Sequence, residues 1–505
     1  MKRHYVSAKL EGACMSDTRS TDILDLDLCD IADHVAVGDV SALAVAQAAV
    51  SAAADIGRKT NAVIALEQTQ ALEKAEALDR LRSRNGPLGA LHGVPLANKD
   101  MFYRKGFATG GGSSLRQDFM PGYTATVIER LDQAGAVTTA RLNMAEFALN
   151  PTGHNVHHGD CKNPWNPDFC TGGSSSGSGA AVASRIVYGS LGSDTGGSIR
   201  MPASMCGVTG IKGTQGLVSR YGVMPLAYSV DCVGPIARTA RDCARLLGVI
   251  AGEDPNDPTC AREPVPNYES FLNGDIRGLR IGYAAQLFGF QTDPELEAAV
   301  ADALEVYKSR GAQVLAVSVP NTEALVTYAG LVQRSEMATI HAQWMRVAPA
   351  EYAKHVSSRI FAGYGIPATA YIEALSRRGG LLNEFCRLAF REVDVIATPA
   401  LTMRVPTRIE ADMDTGGEVA ERIFGRVTEN ARLLNYLGLP AMSVPAGFDR
   451  RGLPIGMQLF GRPFGELMLL KTAEAFQRDT NWHRLKPPLV ATDTNGSSIP
   501  RKEHA

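Results

Sequence analysis

The sequence predicts an α/β protein in which helices flank a mixed, mainly parallel β-sheet. Apolar strand-like segments alternate with amphipathic helical segments through most of the chain, which is the pattern of a layered α/β fold. The composition, with 45% hydrophobic and 21% charged residues, is that of an ordinary globular protein. No internal repeat or low-complexity linker divides the 505 residues, and length alone indicates about three domains.

The individual elements follow in chain order. Helical apolar spacing covers 22–36 and 40–58, and the second segment is rich in alanine, the best helix former. A buried strand at 61–67 leads into a helix at 69–84, and a further strand at 93–100 runs into a polar edge. Further helices are predicted at 125–135, 179–185, 294–311 and 465–478, and further strands or apolar runs at 136–142, 186–194, 279–285, 312–319, 393–401, 440–448 and 454–461.

Charge and cysteine content narrow the functional classes. The net charge of −2 provides no basic surface for nucleic acid or anionic lipid, and no run of about 18 apolar residues predicts a membrane span. The nine cysteines are scattered without a C-x-x-C pair, which favours a reducing compartment over a disulfide framework or zinc site. We therefore expect a cytoplasmic protein without nucleic-acid or membrane partners.

Three segments differ from the rest of the chain in composition and in the structure that they predict. Residues 1–20 begin with basic residues but lack the apolar stretch of a signal peptide, and we expect them to be disordered. The polar tail 490–505 is expected to be loose. Residues 320–390 carry long helical stretches with aromatic side chains, which either cover a cleft or pack on the core. These aromatics are Tyr328, Trp344, Tyr352, Phe361, Tyr364 and Tyr371.

The densest chemical signal lies between Cys170 and Pro202, where two serine-rich glycine loops flank a small-residue helix and an apolar run. A serine can act as a nucleophile only where the backbone is bare enough for a carbonyl group to approach, and glycine provides that clearance. One loop is centred on Ser174–Ser176 and the other ends at Ser198. The pair predicts one active site built from both loops.

The first loop formally matches the G-x-S-x-G nucleophile elbow, with Ser175 as the attacking residue. An elbow requires a buried strand directly before the serine. The preceding residues NPWNPDFCTG contain two prolines and a tryptophan, which predict a loop instead. The elbow is therefore disfavoured.

The second loop, Gly192–Ser198, follows an apolar strand-like run. Its consecutive backbone N–H groups, those of Thr195, Gly196, Gly197 and Ser198, could form an oxyanion hole beside a nucleophile at Ser198. A plain glycine–serine turn is the alternative, and the loop alone does not decide between them.

Lys99 ends the apolar run GVPLAN directly before Asp100. Most lysines at strand ends lie at the surface with their stems packed on the sheet. A catalytic lysine must be neutral near pH 7, and lowering its pKa to that range costs roughly 3–5 kcal/mol. Burial among hydroxyls and backbone amides can supply this, and Asp100 should point to the opposite face because adjacent strand residues alternate.

A group of histidines, His154, His157 and His158, lies near Asp160 and Cys161. Their spacing fits no common zinc pattern, so we interpret the segment as a polar loop. No G-K-[S/T] or G-x-G-x-x-G motif supports a phosphate or dinucleotide site. The sequence thus predicts neither a metal nor an organic cofactor, and activity should survive EDTA.

Taken together, the motifs resemble the amidase signature family. The resemblance rests on LHGVPLANKD (91–100), TGGSSSGSGAAVAS (171–184) and GSDTGGSIRMPASMCGVTGIK (192–212), in that order. Ser174 and Ser198 are 24 residues apart, the separation that this family uses between its two catalytic serines. The match extends over about residues 22–488 and replaces three domains by one amidase signature domain (21–489), a single large α/β domain with a mixed central sheet flanked by helices.

The resemblance also implies a Ser–Ser–Lys triad. Ser198 would form the acyl-enzyme, Ser174 (preceded in the family by a cis peptide) would relay a proton, and Lys99 would be the base. Two hydroxyls in series let a buried lysine act without touching the substrate. Asp194 and Arg200 would support the Ser198 loop by pairing with each other, and Ser175 would support the site beside them.

Two departures from the family pattern are visible. Ser176 occupies a position where the family usually has glycine, and Gly213 stands where proline is expected, next to Lys212. Serine tolerates many turn geometries, and we interpret Lys212 as structural. Neither change removes a member of the implied triad.

Family membership leaves several functions open. The main hypothesis is a free-standing hydrolase of small carboxamides, anilides or carbamates, with water as co-substrate and a homodimer as a family-level expectation. The alternatives are a glutaminase-type subunit of an amidotransferase or other partner-dependent complex, or a catalytically silent binding protein on the same scaffold. The region 363–380 lacks the Tyr-Asp-Gly-x-Arg-Tyr-Gly-like text of the glutaminase subunits, and the aromatic residues of 320–390 favour an apolar or aryl acyl group.

Overall fold

One eleven-stranded sheet forms the centre of the protein, in a computed structural model that describes residues 23–285, 287 and 289–491. Its strands are, in chain order, β1 (Val63–Leu66), β2 (Pro95–Lys99), β3 (Val137–Leu142), β4 (Gly189–Asp194), β5 (Thr209–Lys212), β6 (Cys232–Ala237), β7 (Arg280–Tyr283), β8 (Gln313–Ala316), β9 (Val395–Pro399), β10 (Ala441–Phe448) and β11 (Pro454–Gly461). They are arranged in the order β1-β3-β2-β4-β6-β5-β10-β11-β9-β7-β8. The predicted single α/β domain with a mixed sheet is confirmed.

Fourteen α-helices flank this sheet within the described residues. They are α1 (Leu28–Val37), α2 (Ala42–Thr60), α3 (Gln68–Asn85), α4 (Thr126–Gln133), α5 (Ser176–Ala183), α6 (Arg200–Cys206), α7 (Ala240–Ile250), α8 (Pro294–Ser309), α9 (Thr322–Val347), α10 (Lys354–Tyr364), α11 (Ala368–Ala389), α12 (Gly417–Leu437), α13 (Glu466–Asp479) and α14 (Pro488–Ala491). None of these helices is both long and apolar enough to cross a bilayer. The predicted disorder of 1–20 lies outside the described residues, as does the tail beyond 491.

The expectation of a mainly parallel sheet is wrong. Six strand pairings are antiparallel and four are parallel, the parallel ones being confined to the β3-β2-β4 and β9-β7-β8 parts. Two antiparallel strands, β5 and β6, were not predicted from the sequence. β5 has only four residues, and β6 contains Pro235, a residue that argues against a sheet interior.

The sheet places the two predicted loops together. β2 and β4 are parallel neighbours, so their carboxyl ends lie at the same edge of the sheet. Lys99 is the last residue of β2, and Asp194 is the last residue of β4. The Ser198 loop therefore begins beside Lys99. The Ser174 loop reaches the same edge because it leads directly into α5, which packs against β4 and α6.

The segment 320–390 forms α9, α10 and α11, which pack on the core. Apolar residues of α9 and α11 join α12 and the sheet in one buried cluster, which includes Val332, Phe385, Leu433 and Phe460. Val356 and Ile360 of α10 belong to the main core cluster. Of the six aromatics singled out above, only Phe361 and Tyr364 are exposed, whereas Tyr352 is buried. The helices therefore pack on the core, and their covering of a substrate cleft stays a prediction.

Candidate active site

Lys99 lies at the centre of a ring of serine hydroxyls. Its Nζ donates hydrogen bonds to the Oγ atoms of Ser174 (2.6 Å), Ser193 (2.9 Å) and Ser175 (3.1 Å), and the residue is only 1% exposed. Burial lowers the pKa of Lys99 to about 7, although the charges of Asp194 and Asp231 act in the opposite direction. The lysine can therefore be neutral near pH 7, as a general base must be.

The neighbouring Asp100 is not an ion-pair partner of Lys99 within the described part of the chain, so it does not hold the lysine in its charged form. Its carboxylate accepts hydrogen bonds from Arg141 Nη1 (2.9 Å) and the Gly110 amide (3.0 Å). Burial raises the pKa of Asp100 to about 6, opposed by the charge of Arg141. The predicted alternation along β2 is confirmed, because Asp100 has its own partner and is not among the hydrogen-bond partners of Lys99 in the described residues.

The Ser174 loop is held by its backbone. The Gly173–Ser174 peptide bond is cis, as the family resemblance implied. The Ser174 carbonyl accepts a hydrogen bond from the Ala145 amide (3.1 Å), and the Ser175 amide donates to the Ser198 carbonyl (3.4 Å). A Cβ atom at Gly173 would lie 2.4 Å from the Asn150 carbonyl oxygen, so this position requires glycine. The two serine loops are thus fastened to each other.

Ser175 does not have the geometry of a nucleophile elbow. The residue is fully buried, and its Oγ donates to the Ser193 carbonyl (3.3 Å) as well as accepting from Lys99. The residues before it form a loop rather than a strand, as predicted. Ser175 is placed to hold Lys99, not to meet a substrate.

A network around Asp194 shapes the Ser198 loop. The Asp194 carboxylate accepts from the Gly197 amide (2.7 Å) and the Ile199 amide (3.1 Å), and from Arg200 Nη2 (2.9 Å) and Nε (3.0 Å). Asn435 Nδ2 donates to the Asp194 carbonyl at 2.7 Å. Burial disfavours the carboxylate, but Arg200 outweighs it and holds the pKa of Asp194 well below its usual range. The predicted pairing of Asp194 with Arg200 is present.

Replacing Asp194 by asparagine should unfold the protein more easily, because the change leaves the buried Arg200 guanidinium without its counter-charge. We expect a loss of about 3–5 kcal/mol in the free energy of unfolding, measured by urea denaturation. The control is Asp55→Asn, which removes the exposed partner of Lys59 and should leave stability unchanged. Equal stability of Asp194→Asn and the unmodified protein would show that the ion pair does not hold the loop.

The same network decides which amides of the Ser198 loop are free. The Gly197 N–H is engaged by Asp194, which corrects its predicted availability as an oxyanion donor. Within the part of the chain that the structure describes, the N–H groups of Thr195, Gly196 and Ser198 have no such partner. Gly197 has another reason to be glycine: its φ is 116°, and a Cβ there would lie 2.7 Å from the Cβ of Ala431.

Several site residues were missed by sequence reasoning. Ser193 lies inside a recognised motif, and its side chain could have been assigned to Lys99 from strand alternation, since the strands are neighbours. Asp231 accepts a hydrogen bond from Thr195 Oγ1 (2.6 Å), and Gln458 Oε1 accepts one from Arg200 Nη1 (2.7 Å). These two, like Asn435, lie far along the chain from the serine loops and carry no local signal.

Lys212 belongs to the structure rather than to the serine ring. It is fully buried, and its Nζ donates to the Gly213 carbonyl (3.0 Å) and approaches Cys232 Sγ at 3.8 Å. Burial lowers the pKa of Lys212. No serine or substrate-facing group is among its hydrogen-bond partners in the described residues, which agrees with the structural interpretation.

The segment 154–158, which contains the three histidines, pairs with carboxylates both nearby in the chain and in a distant segment. His154 Nδ1 lies 2.7 Å from Asp160 Oδ1, and its Nε2 lies 3.4 Å from Asp414 Oδ2. Burial disfavours the charged imidazole, but these carboxylates outweigh it and raise the pKa of His154 to about 9. His157 Nε2 pairs with Glu146 Oε1 at 2.8 Å. A protonated His154 thus joins the loop before Ser174 to the segment around Asp414.

Two aromatic residues, Trp344 at the end of α9 and Tyr352 beyond it, pack against Phe147 near the Ser174 loop. Trp344 stacks on Phe147 with ring centroids 5.7 Å apart, and Tyr352 lies against the same ring at 5.3 Å. Phe147 follows Ala145, whose amide binds the Ser174 carbonyl. Tyr328 stacks instead on Tyr436 of α12, at 6.1 Å. These contacts give Trp344 a packing role, and the preference for an aryl acyl group stays a prediction.

Both the sequence and the fold have known relatives. A family model for amidases matches residues 44–470. The chain is a member of the amidase signature family. Among the relatives of this chain, the A subunit of glutamyl-tRNA(Gln) amidotransferase from Geobacter sp. (strain M21) is 38% identical over 93% of this chain and 100% of its own length. The same protein from Roseiflexus castenholzii (strain DSM 13941 / HLO8) is also 38% identical, over 92% and 98%.

Solved structures resemble this family member along most of its length. A structure described as a vestigial protein complex revealing the origins of an s-triazine catabolic enzyme has a TM-score of 0.82 at 31% identity, covering 90% of this chain and 98% of its own. A bacterial aryl acylamidase of the amidase signature family has a TM-score of 0.83 at 25% identity, covering 93% and 99%. The fold is therefore shared with a protein described in a complex and with an acylamidase.

Proposed function

We propose that this amidase hydrolyses the C–N bond of a small carboxamide, anilide or carbamate through an acyl-enzyme on Ser198. The observation that supports this most strongly is the buried Lys99, whose Nζ lies 2.6 Å from Ser174 Oγ without a carboxylate partner among the described residues. A neutral lysine at this position can accept a proton from Ser174, which in turn accepts one from Ser198. The buried amine thus acts through two hydroxyls.

The steps follow from these positions. Ser198 Oγ attacks the substrate carbonyl while its proton passes to Ser174 and the Ser174 proton passes to Lys99. The free N–H groups of Thr195, Gly196 and Ser198 stabilise the oxyanion that forms, in a site where each donor is fixed before reaction. The C–N bond breaks as the relay returns a proton to the leaving amine. Water then attacks the acyl-enzyme by the same relay and releases the acid.

Asp194 and Arg200 contribute by position rather than by contact with the substrate. Asp194 binds the Gly197 and Ile199 amides, so the loop between them is fixed with Ser198 at its centre. Arg200 fastens Asp194 to Asn435 and Gln458 on α12 and β11. Ser175 and Ser193 hold the Lys99 ammonium or amine at the position from which it reaches Ser174.

A glutaminase-type subunit of an amidotransferase is the second candidate. It is favoured by the 38% identity with the A subunits of glutamyl-tRNA(Gln) amidotransferases over nearly the full length of both chains. The absence of a Tyr-Asp-Gly-x-Arg-Tyr-Gly-like motif in the region 363–380 counts against this candidate. A silent binding protein, the third candidate, would be expected to lack a triad member, whereas Lys99, Ser174 and Ser198 are all present.

Assaying the purified protein by itself separates these candidates. We expect release of ammonia or amine from a panel of small amides, anilides and carbamates, with esters also cleaved because they form the same acyl-enzyme. L-Glutamine serves as the comparison substrate. Turnover that appears only after co-expression with amidotransferase partner proteins would contradict the free-standing hydrolase and support the glutaminase-type candidate. Turnover in neither preparation would support the silent scaffold.

A further inference from the structure

Arg432 lies directly against the loop that carries Ser198. A Cβ atom placed on Gly196 would lie 3.4 Å from Arg432 Cγ, with no other heavy atom of the described residues within 4 Å. Its neighbours on α12 face the same loop: Ala431 lies against Gly197, and Asn435 binds the Asp194 carbonyl. The stem of Arg432 therefore borders the amide proposed as an oxyanion donor.

The guanidinium of Arg432 has no hydrogen-bond or ion-pair partner among the residues that the structure describes. Arg200, on the other side of the same loop, makes hydrogen bonds to Asp194, Asn435 and Gln458. Arg432 is half-buried, yet it forms neither a hydrogen bond nor an ion pair with any described group. A guanidinium is charged at every physiological pH, so leaving it half-buried without an anion is costly.

Two further arginines surround it. The guanidinium carbons of Arg359 and Arg432 lie over the same ring, that of Phe424, at 3.9 and 5.2 Å. Burial, followed by the charges of Arg334 and Arg359, lowers the pKa of Arg432 to about 10, and the charges of Glu429 and Glu421 oppose this shift. Arg359 is paired with the exposed Glu421 at 2.9 Å. The guanidinium groups of Arg334, Arg359 and Arg432 thus lie near one another. Among the described residues, the one exposed acid paired with them is Glu421.

The other acid nearby does not balance this charge. Glu429 is buried, and burial raises its pKa to about 7, opposed by the Phe290 amide and by Arg426 and Arg432. Its Oε1 accepts a hydrogen bond from the Phe290 amide (2.8 Å), and it lies three residues before Arg432 on α12, where its charge acts on Arg432. With a pKa of about 7, Glu429 is only partly ionised near neutral pH. A net positive potential therefore remains beside the Ser198 loop near neutral pH.

We propose that Arg432 binds a carboxylate on the acyl part of the substrate, so that the substrate class is the monoamides of dicarboxylic acids. This rests on the proposed amide hydrolysis. The acyl carbonyl oxygen would be held by the Gly196 amide, and the terminal carboxylate would extend to the guanidinium whose stem borders that glycine. A planar guanidinium can bind a carboxylate through two parallel hydrogen bonds, which also orients the acyl chain.

Paired substrates test the proposal. For the monoamides of dicarboxylic acids with three to six carbons, we expect kcat/KM to exceed that of the matching neutral diamides by about 10- to 100-fold at the best length. Arg432→Gln keeps the Cβ and Cγ atoms beside Gly196, and it should remove this preference by raising the KM of the monoamides far more than that of the neutral diamides. Arg422→Gln, an exposed change on the same helix, is the matched control.

The proposal is overturned if Arg432→Gln leaves the preference intact, or if it lowers turnover of both substrates equally. Binding separates it from the proposed hydrolysis. Calorimetry with the Ser198→Ala protein should detect the monoamide, and Arg432→Gln added to that background should weaken binding by about 10- to 100-fold. If the chain hydrolyses neutral amides but binds the monoamides no better than the diamides, only the carboxylate assignment fails. Carboxylate binding without any turnover would instead remove the hydrolysis and keep the site.

Discussion

Replacing Ser198 by alanine is expected to abolish amide hydrolysis, with kcat lower by on the order of 10⁵-fold or more. We expect none of the three serines around Lys99 to form the acyl-enzyme, because Ser174, Ser175 and Ser193 are buried and hydrogen-bonded to the Lys99 amine. The oxyanion donors remain in the variant, so weak catalysis above the uncatalysed rate should persist. The rate of amine release at saturating substrate measures the effect.

A second serine provides the control for this experiment. Ser184 is buried at the end of α5, and its Oγ has no hydrogen-bond partner among the described residues. Ser184→Ala removes a hydroxyl of the same kind without touching the Lys99 ring, and we expect turnover close to that of the unmodified protein. Near-normal turnover by Ser198→Ala would reject Ser198 as the nucleophile.

Replacing Lys99 by methionine should lower kcat by several orders of magnitude while the protein remains folded. Methionine fills a similar volume, and it removes an amine whose charged form is strongly disfavoured by burial. Lys99→Arg should be equally inactive, because a guanidinium stays protonated and cannot accept the Ser174 proton. Circular dichroism and thermal unfolding separate lost chemistry from lost structure. Near-normal activity of Lys99→Met would exclude the lysine as base.

The pH dependence follows from the same residue. The pKa of Lys99 is lowered to about 7, so the rate should rise as pH increases through about 7 and then level. The free energy of unfolding should also rise as pH increases. Between about 7 and the ordinary lysine pKa of 10.5, the unfolded chain binds a proton that the folded protein does not, so stability rises with pH. Lys99→Met should lose this contribution, and a flat rate profile from about pH 5 to 9 would contradict a neutral-lysine base.

Local pattern sufficed for much of the fold and for the two serine loops. The strand ending in Lys99 and the loop after β4 could be predicted because an apolar run leads directly into a polar or glycine-rich segment in each case. The helix expected from residue 22 begins at Leu28, after a turn. β6 was missed because its proline and glycine weaken the strand signal, although its position beside β4 satisfies the backbone.

The remainder depends on contacts that local pattern does not contain. Asn435 reaches Asp194 from more than two hundred residues along the chain, and nothing in its helix distinguishes it from other buried polar residues. The same holds for Arg432, whose lack of a partner among the described residues is visible only in the folded chain. Strand direction was mispredicted because alternation of strands and helices does not specify whether neighbours in space run parallel.

The first measurement to make is intact-mass labelling with a fluorophosphonate probe, followed by peptide mapping of the adduct. The proposed chemistry predicts one adduct per chain, on Ser198, formed faster as pH rises through about 7 and lost in Lys99→Met. An adduct on Ser175 would contradict the assignment of the nucleophile. No adduct on the isolated chain would contradict a free-standing hydrolase.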